Sequence, residues 1–156
     1  MITLYTETVI LAPPERCFDL ARSVDFHVES ASPIHGQAAA GRKSGLSSLG
    51  DQTTWAARFF GVCFSLTTEI TKFDRPHGFS DVQCAGLFTH FGHSYTFRSI
   101  GPSQTLMIDD FSFQSPLGLI GAAFDTAVLR CRMQSVLDFR AHALKSALES
   151  EEWRAY

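Results

Sequence analysis

The sequence predicts an α+β fold in which a curved antiparallel sheet of about seven strands wraps around one long C-terminal helix. Three observations support this prediction. One strand and two short helical segments come first, strand-like sequence then runs from Gln37 to Gln114, and an amphipathic segment extends to Trp153. Successive strands joined by short loops pair as antiparallel neighbours. A sheet closed by a terminal helix forms a container, which favours small apolar molecules over macromolecules.

The first three elements are separated by turn signals. The segment Ile2–Leu11 is rich in Thr, Ile, Val and Tyr, which predicts a strand. A proline pair follows and opens a helix that we expect over Pro14–Ala21. The segment Ser23–Glu29 predicts a second short helix, which ends before Pro33.

The middle of the chain alternates between strand and turn signals. Turns rich in Gly, Pro and Asp separate segments in which apolar and polar residues alternate. The alternation points Trp55 and Phe59 inward, and it gives Phe64 and Leu66 the same parity on the next strand. The predicted strands begin at Gln37 and then cover Thr53–Phe59, Val62–Phe73, Phe79–Cys84, His90–Arg98 and Thr105–Gln114.

The last segment predicts a helix from about Pro116 to about Glu151, but its apolar residues occupy two faces. One face holds Ile120, Phe124 and Val128, and the nearly opposite face holds Leu129, Met133, Val136, Leu137, Leu144 and Leu148. We therefore predict a kink, a break or a change of packing partner near Leu129 to Met133. Either the first half packs away from the sheet, or it forms a movable lid or a dimer surface.

Composition narrows the possible functions. A chain of 156 residues predicts one domain, 1–156, and 45% hydrophobic against 19% charged residues is typical of a globular protein. A formal net charge of −3 disfavours nucleic acid and anionic membranes as partners. The start of the chain lacks an export signal, and no apolar run approaches the ~18 residues of a membrane span. Four scattered cysteines predict buried thiols in a reducing, cytoplasmic environment.

Three polar residues are predicted to form one row across neighbouring strands. If the loop centred on Leu87 is symmetric, Asp81 faces His93, and if the next turn centres on Gly101, His93 faces Asp109. The row would orient a polar ligand group, or His93 would act as a general base with its tautomer fixed by a carboxylate. A purely structural role, in which the three satisfy one another's hydrogen bonds, stays open.

The remaining chemistry-bearing residues predict neither a metal site nor a cofactor. His90 and His93 point to opposite faces of a strand, and no third ligand has a metal-like spacing. The strand aromatics fit a packed core and a cavity wall equally well. An apolar pocket of ~300 Å³ or more that reaches His93 would favour ligand binding.

Five short motifs, taken in order and spacing, resemble the START-like superfamily, also called SRPBCC, over nearly the whole chain. They are Ala12-Pro13-Pro14-Glu15, Gly50-Asp51-x-x-x-Trp55, Phe79-x-Asp81, His93-x-x-x-Phe97, and Asp109-x-Phe111 leading to Pro116-x-Gly118. The resemblance implies a helix-grip fold with a cavity for lipids, sterols, quinones, polyketides or hormones. It implies no single activity, because this fold hosts carriers, sensors and cyclases alike.

The leading hypothesis is a non-catalytic carrier or sensor that binds a small hydrophobic ligand between the sheet and the terminal helix. One alternative is a cyclase or dehydratase that uses His93 with Asp81 or Asp109. Another is an interaction module or homodimer formed through the stripe from Ile120 to Val128. The predicted ligand-binding residues are Trp55, Phe59, Phe64, Leu66, Asp81, His93, Tyr95, Phe97, Asp109, Phe111, Phe113, Leu129 and Met133.

Overall fold

The computed structural model describes residues 1–30, 36–59 and 61–156, and the side chain of Phe59 lies outside the described part. The strands are β1 (Ile2–Ile10), β2 (Gln37–Gly41), β3 (Gln52–Phe59), β4 (Val62–Asp74), β5 (Gly78–Ala85), β6 (His90–Gly101) and β7 (Gln104–Gln114). The helices are α1 (Pro14–Ala21), α2 (Val24–Glu29), α3 (Gly118–Phe124) and α4 (Arg130–Glu149). A π-helical segment, Asp125–Leu129, joins α3 to α4, and a short 3₁₀ turn covers Glu152–Ala155.

All seven strands form one antiparallel sheet in the order β1-β7-β6-β5-β4-β3-β2. From β2 onward each strand pairs with the next in sequence, as short hairpin loops require. The exception is β1, which pairs with β7 so that Ile2 lies opposite Phe113. The predicted α+β class, strand count and closing helix are confirmed.

The short helices begin where the sequence places their caps. Pro14 occupies the first turn of α1, where its missing N–H costs no hydrogen bond. The Ser23 side chain accepts a hydrogen bond from the backbone N–H of Phe26 and so caps α2. The predicted stop at Pro33 lies outside the described residues.

The C-terminal helix changes its winding at the π-helical segment, immediately before the predicted region. Asp125 is fully buried there, and one of its carboxylate oxygens accepts a hydrogen bond from the Ser115 backbone N–H at 2.9 Å. Gly121 lies against the chain leading into α3, since a Cβ at this position would sit 1.9 Å from the Pro116 carbonyl oxygen. These contacts fix the approach of α3, but they do not place its outer face on the sheet.

The core joins the inner face of the sheet to α1 and α4. One buried cluster contains Phe18, Phe79, Phe97, Met107, Leu144 and Leu148, and Phe18 makes edge contacts to Phe73, Phe79 and Phe97. A second cluster contains Leu4, Phe111, Phe113, Leu129, Met133 and Leu137. Residues of both clusters also line the cavity described below, so part of the cavity wall belongs to the packed core.

The cysteine prediction is only partly right. Cys17 is buried, but Cys63, Cys84 and Cys131 are exposed free thiols. Cys63 and Cys84 lie on strands with one face outward, and Cys131 lies on the outer side of α4, where their small side chains need no burial. Within residues 1–30, 36–59 and 61–156, no helix is both long and apolar enough to cross a membrane.

Candidate functional site

A cavity opens between the inner face of the sheet, α2 and α4, and it encloses about 130 Å³. This volume is smaller than the ~300 Å³ that was stated above as favouring ligand binding, although the cavity does reach His93. Most of its wall is apolar. The apolar lining includes Ala21, Val24, Trp55, Ala57, Phe64, Leu66, Ile70, Phe79, Phe88, Phe91, Phe111, Met133, Val136 and Leu137.

The cavity wall on β3 and β4 follows from strand alternation. Trp55 and Ala57 on β3 face inward together with Phe64, Leu66 and Thr68 on β4. The Trp55 indole N–H donates to the Thr68 hydroxyl at 3.1 Å, which satisfies the indole in a mostly apolar wall.

The polar part of the wall is centred on His93. Its Nε2 lies 2.5 Å from Oδ1 of Asp109, and both side chains are buried. Asp81 pairs directly with His93 in the β5–β6 register, as predicted. The register between β6 and β7 differs from the prediction, because Phe111 lies opposite His93 and Asp109 lies opposite Tyr95.

The contact between His93 and Asp109 survives this difference of register. A shift of two residues keeps a side chain on the same face of a strand, and diagonal neighbours remain within reach of long side chains. The strand irregularity between Ser99 and Gly101 and the tight turn to Gln104 account for the shift. The His93 to Asp109 hydrogen bond therefore runs diagonally across the strand pair.

The environment of His93 stabilises its charged form. Burial alone would lower the pKa of the imidazole, but the Asp109 charge, its hydrogen bond and the more distant Asp81 charge outweigh burial. The net result is a pKa raised above the ordinary histidine value. In its charged form, an imidazole donates hydrogen bonds from both ring nitrogens.

Burial raises the pKa values of two further groups on the sheet and so favours their protonated forms. Burial raises the pKa of Asp81, against the opposing effects of the His93 and Arg140 charges and the Thr68 hydroxyl. Burial and the Asp109 charge raise the pKa of Tyr95, so its phenol keeps the proton. The Tyr95 ring also contacts His93 in a tilted arrangement, with ring centroids 4.4 Å apart.

The helices add two polar residues to the same cavity. His27 of α2 lies against Trp55, with ring centroids 4.6 Å apart, and Arg140 of α4 completes the wall opposite. Burial lowers the pKa of His27 well below the ordinary value, and the charges of Arg140 and His93 act in the same direction. The pKa values of the two histidines are therefore shifted in opposite directions, which favours the neutral form of His27 and the charged form of His93.

The structure brings most of the predicted ligand-binding residues to the cavity. Trp55, Phe64, Leu66, Asp81, His93, Tyr95, Phe111 and Met133 all line it. Phe97, Phe113 and Leu129 are buried in the core and do not line it. Asp109 lies behind the wall, where it contacts His93. The side chain of Phe59 lies outside the described residues.

Sequence reasoning missed His27 and Arg140. For Arg140 a signal existed, because it follows Met133 and Leu137 and precedes Leu144 at the helical spacing of a buried stripe. An arginine inside such a stripe is a candidate functional residue. His27 follows the buried Val24 by three residues on α2, and it carries a similar but weaker signal.

Comparison with solved structures identifies the fold. A Thermus thermophilus protein matches with a TM-score of 0.76 and 17% identity, covering 99% of this chain and 98% of that one. A START superfamily protein from Mycobacterium smegmatis matches with a TM-score of 0.71 and 16% identity over 94% and 97%. An aromatase/cyclase from a Streptomyces species matches with a TM-score of 0.66 and 13% identity over 98% and 94%.

These matches show which fold the chain has. The chain has the START-like, or SRPBCC, helix-grip fold. No protein-family model matches the sequence, and no curated protein matches it. At these identities the likeness shows the fold alone, so the function must be argued from the cavity.

Proposed function

We propose that this protein binds a small hydrophobic ligand, of the lipid, quinone or polyketide kind, in the cavity between the sheet and α4 and acts as a carrier or sensor. The observation that carries the proposal is the wall itself, which is mostly apolar and has a few polar groups converging at His93. A START superfamily protein and an aromatase/cyclase share the fold, which is consistent with this use.

The size of the cavity limits the part of the ligand that it encloses. Its volume of about 130 Å³ is close to the ~150 Å³ of an engineered apolar cavity that takes up benzene. One ring or a short alkyl segment therefore fits inside. The remainder of a larger ligand, including the second ring of a naphthalene group, would extend through the opening of the cavity.

The enzymatic alternative has weaker support. A general base must be unprotonated at the working pH, whereas Asp109 and Asp81 raise the pKa of His93 and so favour its charged form. The dimerisation alternative and the cytoplasmic location stay predictions.

Two adjacent alanines of β3 provide the test. Ala57 lines the cavity, whereas its neighbour Ala56 points to the opposite face of the strand. We expect Ala57→Phe to fill the cavity and to weaken binding of the neutral fluorescent probe naphthylmethanol by about 10-fold or more. We expect the control Ala56→Phe to leave affinity within about two-fold. Fluorescence titration measures both, and circular dichroism checks the fold.

Equal effects of the two substitutions, or no binding by the unaltered protein, would contradict the proposal. Native mass spectrometry of protein from its own host adds a second readout, since a natural ligand should co-purify with the unaltered chain and be absent from Ala57→Phe.

A further inference from the structure

Arg140 is the most unusual residue of the cavity. It belongs to the buried side of α4, between Leu137 and Leu144, yet its side chain carries a permanent charge. It is half-buried and lines the cavity, and its charge is close enough to act on the pKa values of Asp81, His93 and Tyr95. Long cations at such positions usually extend to solvent, but this one lies opposite the sheet.

The guanidinium of Arg140 makes no hydrogen bond and no ion pair to any residue in the described part of the chain. Other arginines are engaged: Arg22 donates to Asp19 and to the Ser47 carbonyl oxygen, and Arg75 donates to Asp19. Arginine has five N–H donors, and in the described part of the chain no nitrogen of Arg140 is both shut off from solvent and unpartnered, so these donors are open to water or to a ligand.

The nearby carboxylates do not neutralise Arg140. Asp109 is engaged by His93 at 2.5 Å. Asp81 is close enough for the Arg140 charge to influence its pKa, but the two side chains do not form an ion pair. Burial also raises the pKa of Asp81, which favours its neutral form. Arg140 is thus a cation without a dedicated anion.

The Tyr95 hydroxyl adds a second available donor. Tyr95 lines the same cavity, and its hydroxyl makes no hydrogen bond to another described residue. Its raised pKa keeps the phenol protonated. The cavity therefore presents a planar cation and a neutral O–H donor beside aromatic and aliphatic surface.

We propose that Arg140 binds the acidic oxygen group of the ligand, a carboxylate or an ionised phenol or enol, while the apolar wall holds its ring or chain. This inference rests on the proposed ligand-binding function and specifies its ligand class. An arginine fork donates two parallel hydrogen bonds to the two oxygens of a carboxylate, and its charge also pairs with the single oxygen of a phenolate or enolate. A neutral alcohol carries no charge for it to pair with.

The test compares two probes with the same ring, the anionic naphthoate and the neutral naphthylmethanol. In the unaltered protein, naphthoate should bind more tightly. Arg140→Met keeps the length and apolar contacts of the side chain but removes its charge, so naphthoate affinity should fall by about 10-fold or more. Naphthylmethanol affinity should stay within about two-fold and also reports that the variant is folded.

The control is Arg130→Met, which removes the same charge from the exposed side of α4 away from the cavity. It should leave both affinities within about two-fold. Arg140→Lys should retain part of the preference for naphthoate, because it keeps the charge without the fork.

Each outcome separates the two proposals. If both probes bind the unaltered protein equally, or if Arg140→Met weakens both equally, the acidic-ligand inference is overturned while the cavity function stands. If Arg130→Met weakens naphthoate as much as Arg140→Met does, the effect is one of general charge and the inference is likewise overturned. If neither probe binds, both proposals fail.

Discussion

The two halves of the C-terminal helix both carry large apolar residues, but these residues lie in opposite environments. In α4 the apolar residues Met133, Val136, Leu137, Leu144 and Leu148 are buried against the sheet. In α3, Leu119 and Ile120 are 90% and 76% exposed. Hydrophobicity alone therefore does not decide which half packs against the sheet. The deciding factor is which side of the helix each apolar residue occupies relative to the sheet.

The π-helical segment Asp125–Leu129 supplies this change of phase. A π turn is wider than an α turn and shifts the following residues around the helix axis. The buried Asp125 holds the end of β7 through the Ser115 backbone N–H, so α3 begins from a fixed point. The sheet-facing stripe of α4 consequently begins at Leu129, where the π-helical segment ends.

The largest effect should come from truncating the packed half. Leu148 is 2% exposed in the core, and Leu148→Ala should lower the free energy of unfolding by about 2–5 kcal/mol, because it leaves a cavity. Leu119→Ala, the same change in α3, should cost no more than about 0.5 kcal/mol. Urea denaturation of both variants measures the difference, and similar losses would show that α3 is packed in solution.

An intermediate effect should come from the buried hydrogen-bonded pair of His93 and Asp109. Asp109→Asn removes the charge that raises the pKa of His93, so the histidine should titrate at lower pH, as followed by NMR. Because the raised pKa stabilises the folded state below the ordinary histidine value and this benefit disappears as pH rises through the folded pKa, the stability loss should depend on pH.

The loss should be about 1–3 kcal/mol at about pH 5.5 and smaller at about pH 8.5. The amides of α3 should show no matching change in hydrogen exchange, because α3 does not contact the pair of His93 and Asp109. A loss of equal size at both pH values would mean that Asp109 acts through packing and not through charge.

The smallest effect should come from the exposed half. Ile120→Arg should change the unfolding free energy by no more than about 0.5 kcal/mol, because Ile120 contributes little to the core. The same variant tests the predicted dimer. If sedimentation finds a dimer of the 17.2 kDa chain, Ile120→Arg should dissociate it. A dimer that persists in the variant would place its interface elsewhere.

The sequence predicted the strands well because alternation and turn residues are local signals. It also placed Asp81 opposite His93, since the loop around Leu87 joins its strands symmetrically. It failed for the next pair, because the turn is centred between Pro102 and Ser103 and not on Gly101. An irregularity near Ser99 then shifts the pairing back by one residue, which leaves a net difference of two.

The helical part of the site was harder to predict than the sheet. The two apolar faces indicated a change near Leu129 and placed the first half away from the sheet, but they did not show whether that half would pack elsewhere or lie in solvent. A stripe defined by apolar residues alone does not include Arg140, although Arg140 shares the helix phase of Met133, Leu137 and Leu144. A charged residue at a buried phase of the helix is visible in the sequence once the stripe is drawn completely.

The pairing of β1 with β7 has a consequence for how the chain is made. Ile2 leaves the ribosome before its partner Phe113, which follows more than a hundred residues later. The β-hairpins from β3 to β7 can form one after another during synthesis, whereas β1 has no pairing partner until β7 has been made. The ligand cavity is completed later still, because its second wall is α4. Newly made chains therefore pass through a stage with one sheet edge unpaired and the apolar inner face uncovered, when chaperone protection would matter most.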